Sequence, residues 1–588
     1  MKSPEEASAL HLILHHMGFY RRRVAWSMTI KLSSALTELL IPYILEYLID
    51  EIVPRGRLSL VLFWSALMIV TAILTRQLNV WANRIAVDNA HRVSYDIRQA
   101  FFTKTLNLSG AQFDRFGLPS LISRLTSDSY NVQSAVQASQ TMCVRMPMML
   151  VGGIVMTLLM DPPLATILLV IVPVLVAVIL AVSRYGIPLY RQVQARLDEV
   201  VQVMREDITG IRVVKALSKT GYETRRFAAR SDAMTRADIK ASTVMAIPGP
   251  LMQMCLNLGL TLVVWFGARR VYSGQIQSGV ILAFLTYFNM VIQGVMGINR
   301  IFIMLSKATA SANRIAQVLA VEPDQPVLAL EEAKAPQGEE FIRFEHVSFS
   351  YDAAAESHAQ REECLHDISF ALKRGESLGI IGPTGCGKTT IVNLLMRFYD
   401  VTDGGVFVDG RDVRTYELDA LRQKFGVVFQ NDMVFYNTLR ENIRFGRPLE
   451  DLTLLAAVED AAASDYLGSL ADGLDHQAEI KGANLSGGQK QRLLIARALA
   501  GDPEILVLDD SSSALDYRTD AALRRAIHEH HSHSTTIMIA QRVSSIQSMT
   551  HILVMDNGRC IGYGDHKTLL ETCPAYQDIY RAQMGALA

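Results

Sequence analysis

The stretch LGIIGPTGCGKTTIVNLL, residues 378–395, decides the fold of the second half of this chain. A short apolar run, a glycine-rich loop and an amphipathic segment follow one another. This order predicts a buried strand, a tight loop and a helix. The loop fits the pattern G-x-x-x-x-G-K-[ST], in which glycines let backbone N–H groups close around phosphate oxygens at a helix N-terminus. We therefore expect an α/β phosphate-binding domain.

The loop and a second motif together predict a site for ATP and Mg²⁺. Lys388 should reach the β- and γ-phosphates, and Thr389 should bind Mg²⁺. Downstream, ILVLDD (505–510) reads as a buried strand that ends in two aspartates, which makes Asp509 the carboxylate that holds the metal. The loop residues that should contact the nucleotide are Gly382, Pro383, Thr384, Gly385, Cys386, Gly387, Lys388, Thr389 and Thr390.

The first half of the chain is built differently. Of the 588 residues 50% are hydrophobic, and the formal net charge of −1 gives no reason to expect a nucleic-acid partner. A membrane span needs about 20 mostly apolar residues. Each apolar run alone could be a buried core helix, but six in a row make that reading improbable. The predicted spans are 24–48, 58–80, 138–160, 164–183, 244–267 and 279–303.

The distribution of basic residues predicts the orientation of the spans. Arg21, Arg22 and Arg23 precede the first span, and the long connections 84–134 and 185–242 are rich in arginine and lysine. The opposite connections are short and poor in basic residues. By the positive-inside rule the N-terminus and the C-terminal half lie in the cytoplasm. We expect the spans to cross the inner (plasma) membrane. The two long connections are helical in composition, so we expect the spans to continue into the cytoplasm as paired helices.

The predicted domains are a membrane domain at 1–321, an acidic, proline-bearing linker at 322–340 and a nucleotide-binding domain at 341–588. Before the first span, apolar residues recur at helical spacing, which predicts an interfacial amphipathic helix or a simple helical lead-in; they are Leu10, Ile13, Leu14 and Met17.

Few ionisable residues fall within the spans. We expect Lys31, Arg76 and Arg145 to extend towards the cytoplasmic interface. Glu38 lies deeper and either lines a central cavity or pairs locally. Methionine-bearing helices are consistent with an adaptable apolar pocket and equally with ordinary packing.

The motifs together carry a family resemblance. GPTGCGKTT, Gln430 in VVFQND, LSGGQ (485–489), LVLDD and SALD (513–516) occur in the order typical of ATP-binding cassette proteins. With six spans before one cassette, the chain resembles a bacterial half-transporter of the exporter class. The resemblance implies a polytopic α-helical membrane domain fused to an α/β P-loop cassette. FDRFGLPSLISRLTSD (113–128) and REDITGIRVVKALSK (205–219) resemble the inner-loop segments that bear that class's coupling helices.

The resemblance also implies roles for further residues. Tyr351 should stack on adenine, and Gln430 should touch both Mg²⁺ and the interface with the membrane domain. Asp516 should cross the interface between two cassettes. The signature residues that should contact ATP held by the other subunit are Ser486, Gly487, Gly488 and Gln489. Two cassettes must close on two ATP molecules in this family, so the functional unit contains a second half-transporter.

Two departures from the family pattern concern hydrolysis. The family places glutamate after the metal-binding aspartate and histidine in the stretch TTIMIAQRVSSI; this chain has Asp510 and Gln541. The pair resembles the degenerate subunit of heterodimeric exporters, with a slow site on this chain and a partner that carries the intact residues. Neutral drift in a homodimeric exporter or lipid flippase is the alternative, and an ATP-gated channel is a rival class. The expected substrate is apolar or amphipathic and moves outwards; drugs, lipids and peptides are not distinguished.

Overall fold

The computed structural model describes residues 4–329, 339–351, 363–511 and 515–584. It divides into two compact units. The helical unit comprises Met1–Asn107 and Leu118–Val321, and the α/β unit comprises Leu108–Gly117 and Glu322–Ala588. The segment Leu108–Gly117, which the sequence assigned to the membrane domain, therefore belongs to the α/β unit.

The first part of the chain is helical. In chain order its α-helices are α1 Pro4–Phe19, α2 Arg21–Tyr47, α3 Leu58–Leu106, α4 Gly110–Phe116, α5 Leu118–Ser123, α6 Ser129–Gln140, α7 Met142–Met160, α8 Pro162–Thr209, α9 Ile211–Ala216, α10 Thr220–Ala246, α11 Pro248–Tyr272 and α12 Ser278–Leu319.

Six helical runs in the described residues are long and apolar enough to cross a membrane, as the sequence predicted. They are Arg21–Arg55, Leu58–Leu106, Leu118–Met160, Pro162–Thr209, Thr220–Tyr272 and Ser278–Leu319. The runs are longer than the apolar stretches because each helix continues past its apolar part. At about 1.5 Å per residue, the 49 residues of α3 extend to about 70 Å, more than twice the thickness of a hydrocarbon core.

The helical extensions pair through polar contacts, as expected. Arg230 Nη1 of α10 lies 2.9 Å from Glu199 Oε2 of α8. In the first long connection, Arg98 Nε of α3 donates to Ser129 Oγ of α6 at 2.8 Å. Neighbouring long helices are thereby held in register beyond their apolar parts.

Polar groups within the helical unit pair across neighbouring helices. Lys31 is 4% exposed, and its Nζ donates to Asn79 Oδ1 at 2.6 Å and Asn83 Oδ1 at 2.9 Å. Arg145 donates to both carboxylate oxygens of Glu38, at 3.1 and 2.8 Å. Lys31 and Arg145 thus both find partners on neighbouring helices. For Glu38 the structure selects local pairing.

A buried carboxylate also caps α12 from outside that helix. Asp50 accepts hydrogen bonds from the backbone amides of Gly279 at 2.6 Å and Val280 at 3.1 Å. A Cβ at position 279 would lie 2.7 Å from the Asp50 carboxyl carbon, so only glycine allows this approach. The negative charge meets the amides that a helix leaves unpaired at its first turn.

The α/β unit continues the chain through the following elements: β1 Ile342–Phe349, β2 Leu365–Leu372, β3 Ser377–Ile381, α13 Lys388–Leu395, β4 Asp403–Val408, β5 Arg411–Asp412, α14 Leu418–Arg422, β6 Phe425–Val428, α15 Leu439–Arg444, α16 Asp451–Asp460, α17 Ser464–Gly468, α18 Gly487–Leu499, β7 Ile505–Asp509, α19 Tyr517–His530, β8 Thr535–Ile539, α20 Val543–Ile546, β9 His551–Asp556, β10 Arg559–Gly564, α21 His566–Thr572 and α22 Pro574–Met584.

Two sheets organise this unit. The first has the strand order β2-β1-β4-β5 and is antiparallel, and the second has the order β10-β9-β3-β8-β7-β6. In the second sheet β9, β3, β8, β7 and β6 run parallel. Every residue of β7 and β8 is buried, which explains the apolar runs ILVL and IMI within them. The carboxyl ends of β3, β7 and β8 therefore meet at one edge, where ligands bind in sheets of this kind.

Helix α4 packs within the α/β unit. Gly110 N donates to Phe398 O at 3.1 Å, and the Tyr399 hydroxyl donates to Asp114 Oδ2 at 2.5 Å. Ser109 and Gln112 form a reciprocal capping box at its N-terminus. A Cβ at position 110 would lie 2.8 Å from the Phe398 carbonyl oxygen, so the close approach requires glycine.

Candidate nucleotide site

The phosphate loop lies between β3 and α13, as the sequence predicted. Gly387 is the N-cap of α13 at φ +97°, and Gly385 has φ +85°, a conformation that side chains rarely adopt. A Cβ on Gly382 would lie 2.2 Å from the Met555 carbonyl oxygen. The three glycines thus let the loop turn tightly at the carboxyl edge of the sheet.

The charged and hydroxyl groups of the loop converge with Asp509. Lys388 Nζ donates to the carbonyl oxygens of Gly382 at 2.9 Å and Pro383 at 2.7 Å. Thr389 Oγ1 donates to Asp509 Oδ2 at 2.8 Å. Burial raises the pKa of Asp509, and the Thr389 hydrogen bond opposes that rise. A cation at this carboxylate would favour its charged form.

A cavity of about 270 Å³ contains these groups. Its walls bring together parts of the chain that are more than a hundred residues apart. The predicted site residues among its lining are Thr384, Gly385, Gly387, Lys388, Thr389, Thr390, Gln430, Asp509, Asp510 and Gln541; Cys364 and Ile539 complete it.

The residues present fit Mg²⁺ and a nucleotide phosphate chain. Thr389, Asp509 and Gln430 offer hydroxyl, carboxylate and amide oxygens, the hard donors that Mg²⁺ prefers. The loop amides and Lys388 offer the positive groups that phosphates need. Burial raises the pKa of the Cys386 thiol, so this loop cysteine adds no negative charge at neutral pH.

Tyr351 stands beside the loop. Its hydroxyl lies 3.1 Å from Thr390 Oγ1, and its ring packs edge-on against Phe349 and Tyr399 at centroid distances of 4.8 and 5.1 Å. The side chain remains half exposed. The ring is therefore held in place with surface left for a planar partner.

The two residues that depart from the family pattern contact each other. Gln541 Nε2 donates to Asp510 Oδ2 at 2.9 Å, and Gln430 Nε2 approaches the same oxygen at 3.4 Å. Asp510 has φ +50°, a conformation that non-glycine residues seldom adopt. The short carboxylate is thus engaged by amide groups at the position where a base would act.

One residue near this pair was missed by the sequence reasoning. Gln583 of α22 donates to the Gln541 carbonyl oxygen at 2.6 Å and accepts from the Val543 amide at 2.7 Å. It therefore fixes the backbone on both sides of residue 542. Nothing in the amphipathic sequence of α22 signals this contact, since it joins positions 42 residues apart.

The signature segment begins α18. Ser486 is the N-cap, its Oγ accepts from Gln489 N at 3.3 Å, and Gln489 Oε1 accepts from Ser486 N at 2.8 Å. Gly487 and Gly488 form the exposed first turn. The described lining of the nucleotide cavity includes none of these residues.

Asp516 is the N-cap of α19. Its two carboxylate oxygens accept from the backbone amide and the hydroxyl of Thr519, at 2.8 and 3.1 Å, and these bonds lower the pKa of Asp516. It also lies outside the described cavity lining. The remaining residues of the SALD motif except Leu515 lie outside the described residues.

Similarity to known proteins agrees with this architecture. Residues 24–296 match the ABC transporter transmembrane region, and residues 365–513 match the ABC transporter domain. An ABC transporter ATP-binding protein of Mycobacterium tuberculosis is 33% identical over 585 residues, covering 98% of both chains. YfiB of Bacillus subtilis, also named an ABC transporter ATP-binding protein, is 32% identical over 560 residues, covering 95% of this chain and 96% of its own.

Among solved structures, a bacterial Atm1-family ABC exporter with ATP bound superposes with a TM-score of 0.80 at 23% identity. The match covers 96% of this chain and 99% of the other. The fold is therefore that of an ABC exporter.

Six spans joined to a phosphate-loop cassette define an ATP-hydrolysing, multi-pass membrane transporter. The chain belongs to the ABC transporter family. It carries one membrane region and one cassette, so it is a half-transporter, which works together with a second half-transporter.

Proposed function

We propose that this chain is one half of a heterodimeric exporter in the inner membrane, with its N-terminus and cassette in the cytoplasm. Its own phosphate loop would bind ATP in a slow site. Its signature segment would complete a fast site on the partner, which supplies the intact glutamate and histidine. The observation that carries this proposal is the Gln541–Asp510 contact at 2.9 Å.

The contact bears on hydrolysis in two ways. An aspartate carries its carboxylate about 1.5 Å closer to the backbone than a glutamate, because one C–C bond is missing. A general base must lie roughly 2.6–3.2 Å from the proton that it takes, or act through a water. Gln541 also donates to Asp510, and a side-chain amide does not exchange protons as an imidazole does. Both features support slow hydrolysis.

The groups for binding are separate from those for hydrolysis. We infer that Lys388 and the loop amides hold the phosphates, and that Thr389, Asp509 and Gln430 hold Mg²⁺. When bound, the metal would neutralise phosphate charge. Tyr351 would support the adenine ring. All these groups are present, which supports a site that retains ATP for long periods.

The N-termini of α18 and α19 support contacts with the second half-transporter. Gly487 and Gly488 present backbone amides at the first turn of α18, next to the Ser486 side chain, which suits a phosphate. We infer that they contact ATP held by the partner's phosphate loop, with Gln489 as the bracing residue. Asp516 would contact the partner from the start of α19.

An apolar cavity in the helical unit supports an apolar or amphipathic substrate. Its volume is about 290 Å³, and it is formed by α7, α8 and α12. The described lining contains only aliphatic and aromatic side chains: Leu150, Val176, Ile179, Leu180, Val295, Ile298 and Phe302. Apolar surface of this kind binds apolar parts of a ligand by excluding water. Because it offers no polar group to orient the ligand, it suits an apolar or amphipathic substrate.

The test is ATP turnover by the purified chain alone and together with the product of any adjacent half-transporter gene. We expect slow turnover alone and at least about a hundredfold faster turnover of the pair, the lower range for a positioned base. Lys388→Ala in this chain serves as the control, since it should weaken ATP binding at the slow site. Brisk turnover by the unaltered chain alone would contradict the proposal. Uptake into inverted vesicles then separates an exporter from a channel.

A further inference from the structure

A second, larger cavity lies in the α/β unit at the edge of the sheet opposite the phosphate loop. Its volume is about 640 Å³. Ser377 at the first position of β3 and Thr536 near the start of β8 lie in its wall. The phosphate loop follows the other end of β3. At about 3.3 Å per residue, the five residues of β3 separate the two sites by about 15 Å. The cavity is therefore independent of the nucleotide site.

The lining of this cavity contains several side chains that can donate hydrogen bonds to an anion. Arg524 and Arg525 of α19 contribute to it together with His528 and His531, and six serine or threonine residues surround them. The described lining contains neither aspartate nor glutamate. A volume of several hundred cubic ångströms with a few convergent polar groups is typical of small-molecule sites.

Two lining residues have buried nitrogen atoms with no hydrogen-bond partner among the described residues: Arg524 Nε and His531 Nδ1. His531 is 9% exposed; its Nε2 lies 3.0 Å from Asp460, while its Nδ1 is 3.9 Å from the Asp502 carboxylate. Buried polar atoms are nearly always paired in folded proteins. These two atoms are therefore available to hydrogen-bond with a polar ligand.

Arg525 adds an uncommitted charge. It is exposed, and within the described part of the chain it makes neither a hydrogen bond nor an ion pair. Arg524 differs, since it donates to Ser544 O at 3.1 Å and pairs with Asp520 at 3.2 Å. The two guanidinium groups lie at adjacent positions on α19, so one is anchored and the other is available.

We propose that this cavity binds a small organic phosphate, distinct from the ATP of the phosphate loop. One guanidinium group can donate two parallel hydrogen bonds to two oxygens of a phosphate, and hydroxyl groups add uncharged donors. The described lining contains no carboxylate, and the carboxylates that contact it, Asp520 and Asp460, are paired with Arg524 and His531. The volume exceeds the need of one phosphate group and leaves room for an organic part of the ligand.

The test uses the full chain with Lys388→Ala, which weakens the phosphate loop, in nanodiscs of zwitterionic lipid with a metal chelator. Inorganic pyrophosphate is titrated calorimetrically. We expect binding to one site, and adding Arg525→Gln should weaken it about tenfold or more, the usual effect of losing a charged hydrogen bond. His528→Gln, at a second exposed lining position, should weaken it as well. Arg559→Gln, an exposed arginine of β10 outside the cavity, is the matched control.

Three results of the pyrophosphate titration would overturn the proposed site. Absence of pyrophosphate binding to the Lys388→Ala chain at millimolar concentration overturns the proposal. So does unchanged affinity after Arg525→Gln, or an equal loss with Arg559→Gln. Thermal unfolding at the same temperature for all variants shows that each remains folded.

Discussion

Replacing Asp510 by glutamate and Gln541 by histidine tests the chemistry of the slow site most directly. In the structure Asp510 Oδ2 lies 2.9 Å from Gln541 Nε2. The added methylene extends the carboxylate by about 1.5 Å. A general base must lie within roughly 2.6–3.2 Å of the group that it deprotonates, so a shift of this size decides whether it can act. Histidine at 541 replaces the amide with a group that can carry charge. Since a positioned base supplies about 10²–10⁴ in rate, we expect the double variant to turn over ATP about a hundredfold faster than the unaltered chain.

The assay is phosphate release by the purified chain alone in nanodiscs. The signature segment is intact, so two copies of the double variant would form two complete sites. ATP binding is measured in parallel and should stay the same, because Lys388, Thr389 and Asp509 are untouched. Adding Lys388→Ala to the double variant should remove the gain. Unchanged turnover in a variant that binds ATP and dimerises would refute the reasoning that these two residues limit hydrolysis.

Three further perturbations test other parts of the structure. Asp50→Ala removes two hydrogen bonds to the N-terminus of α12 and should lower the free energy of unfolding by about 3 kcal/mol, measured by thermal unfolding, whereas Glu51→Ala at an exposed position should have little effect. The His530 ring is hydrogen-bonded to the Asp460 carboxylate of α16, and this contact raises the pKa of His530. The contribution of the protonated ring to stability is therefore present at mildly acidic pH and is lost as pH rises through the raised pKa. His530→Gln should flatten that part of the dependence of unfolding temperature on pH. Gln583→Ala, added to the fast double variant, should lower ATP turnover about tenfold without weakening ATP binding, because the backbone around residue 541 loses two supports.

The local motifs predicted the α/β site because each is a contiguous strand, loop and helix. Gly385 and Gly387 adopt the positive φ angles that a phosphate loop requires, and the signature segment forms the start of α18. The meeting of Thr389 with Asp509 follows from parallel strands that end at one edge. Such contacts are set by secondary structure and sheet order, which the sequence pattern encodes.

Contacts between distant side chains were not predictable in the same way. Lys31 is satisfied by two asparagines on another helix, and no periodicity in either helix reports which faces meet. For Glu38 the sequence left two alternatives, because only the position of Arg145 on a third helix decides between them. The choice depends on how helices pack, and single-sequence patterns carry little information on packing partners.

Helix α4 has a consequence for how the chain can be divided. Because Leu108–Gly117 belongs to the α/β unit, the backbone passes between the two units at three places rather than one: at 107/108, 117/118 and 321/322. Proteolysis between residues 329 and 339 would produce two polypeptides, and the C-terminal one would still be held to α4 by noncovalent contacts such as the Tyr399–Asp114 hydrogen bond. A cassette fragment that starts at residue 322 would lack part of its own surface, with the Tyr399 hydroxyl deprived of Asp114. The α/β unit is therefore built from two separate segments of the chain, and a single cut at 321/322 does not isolate it whole.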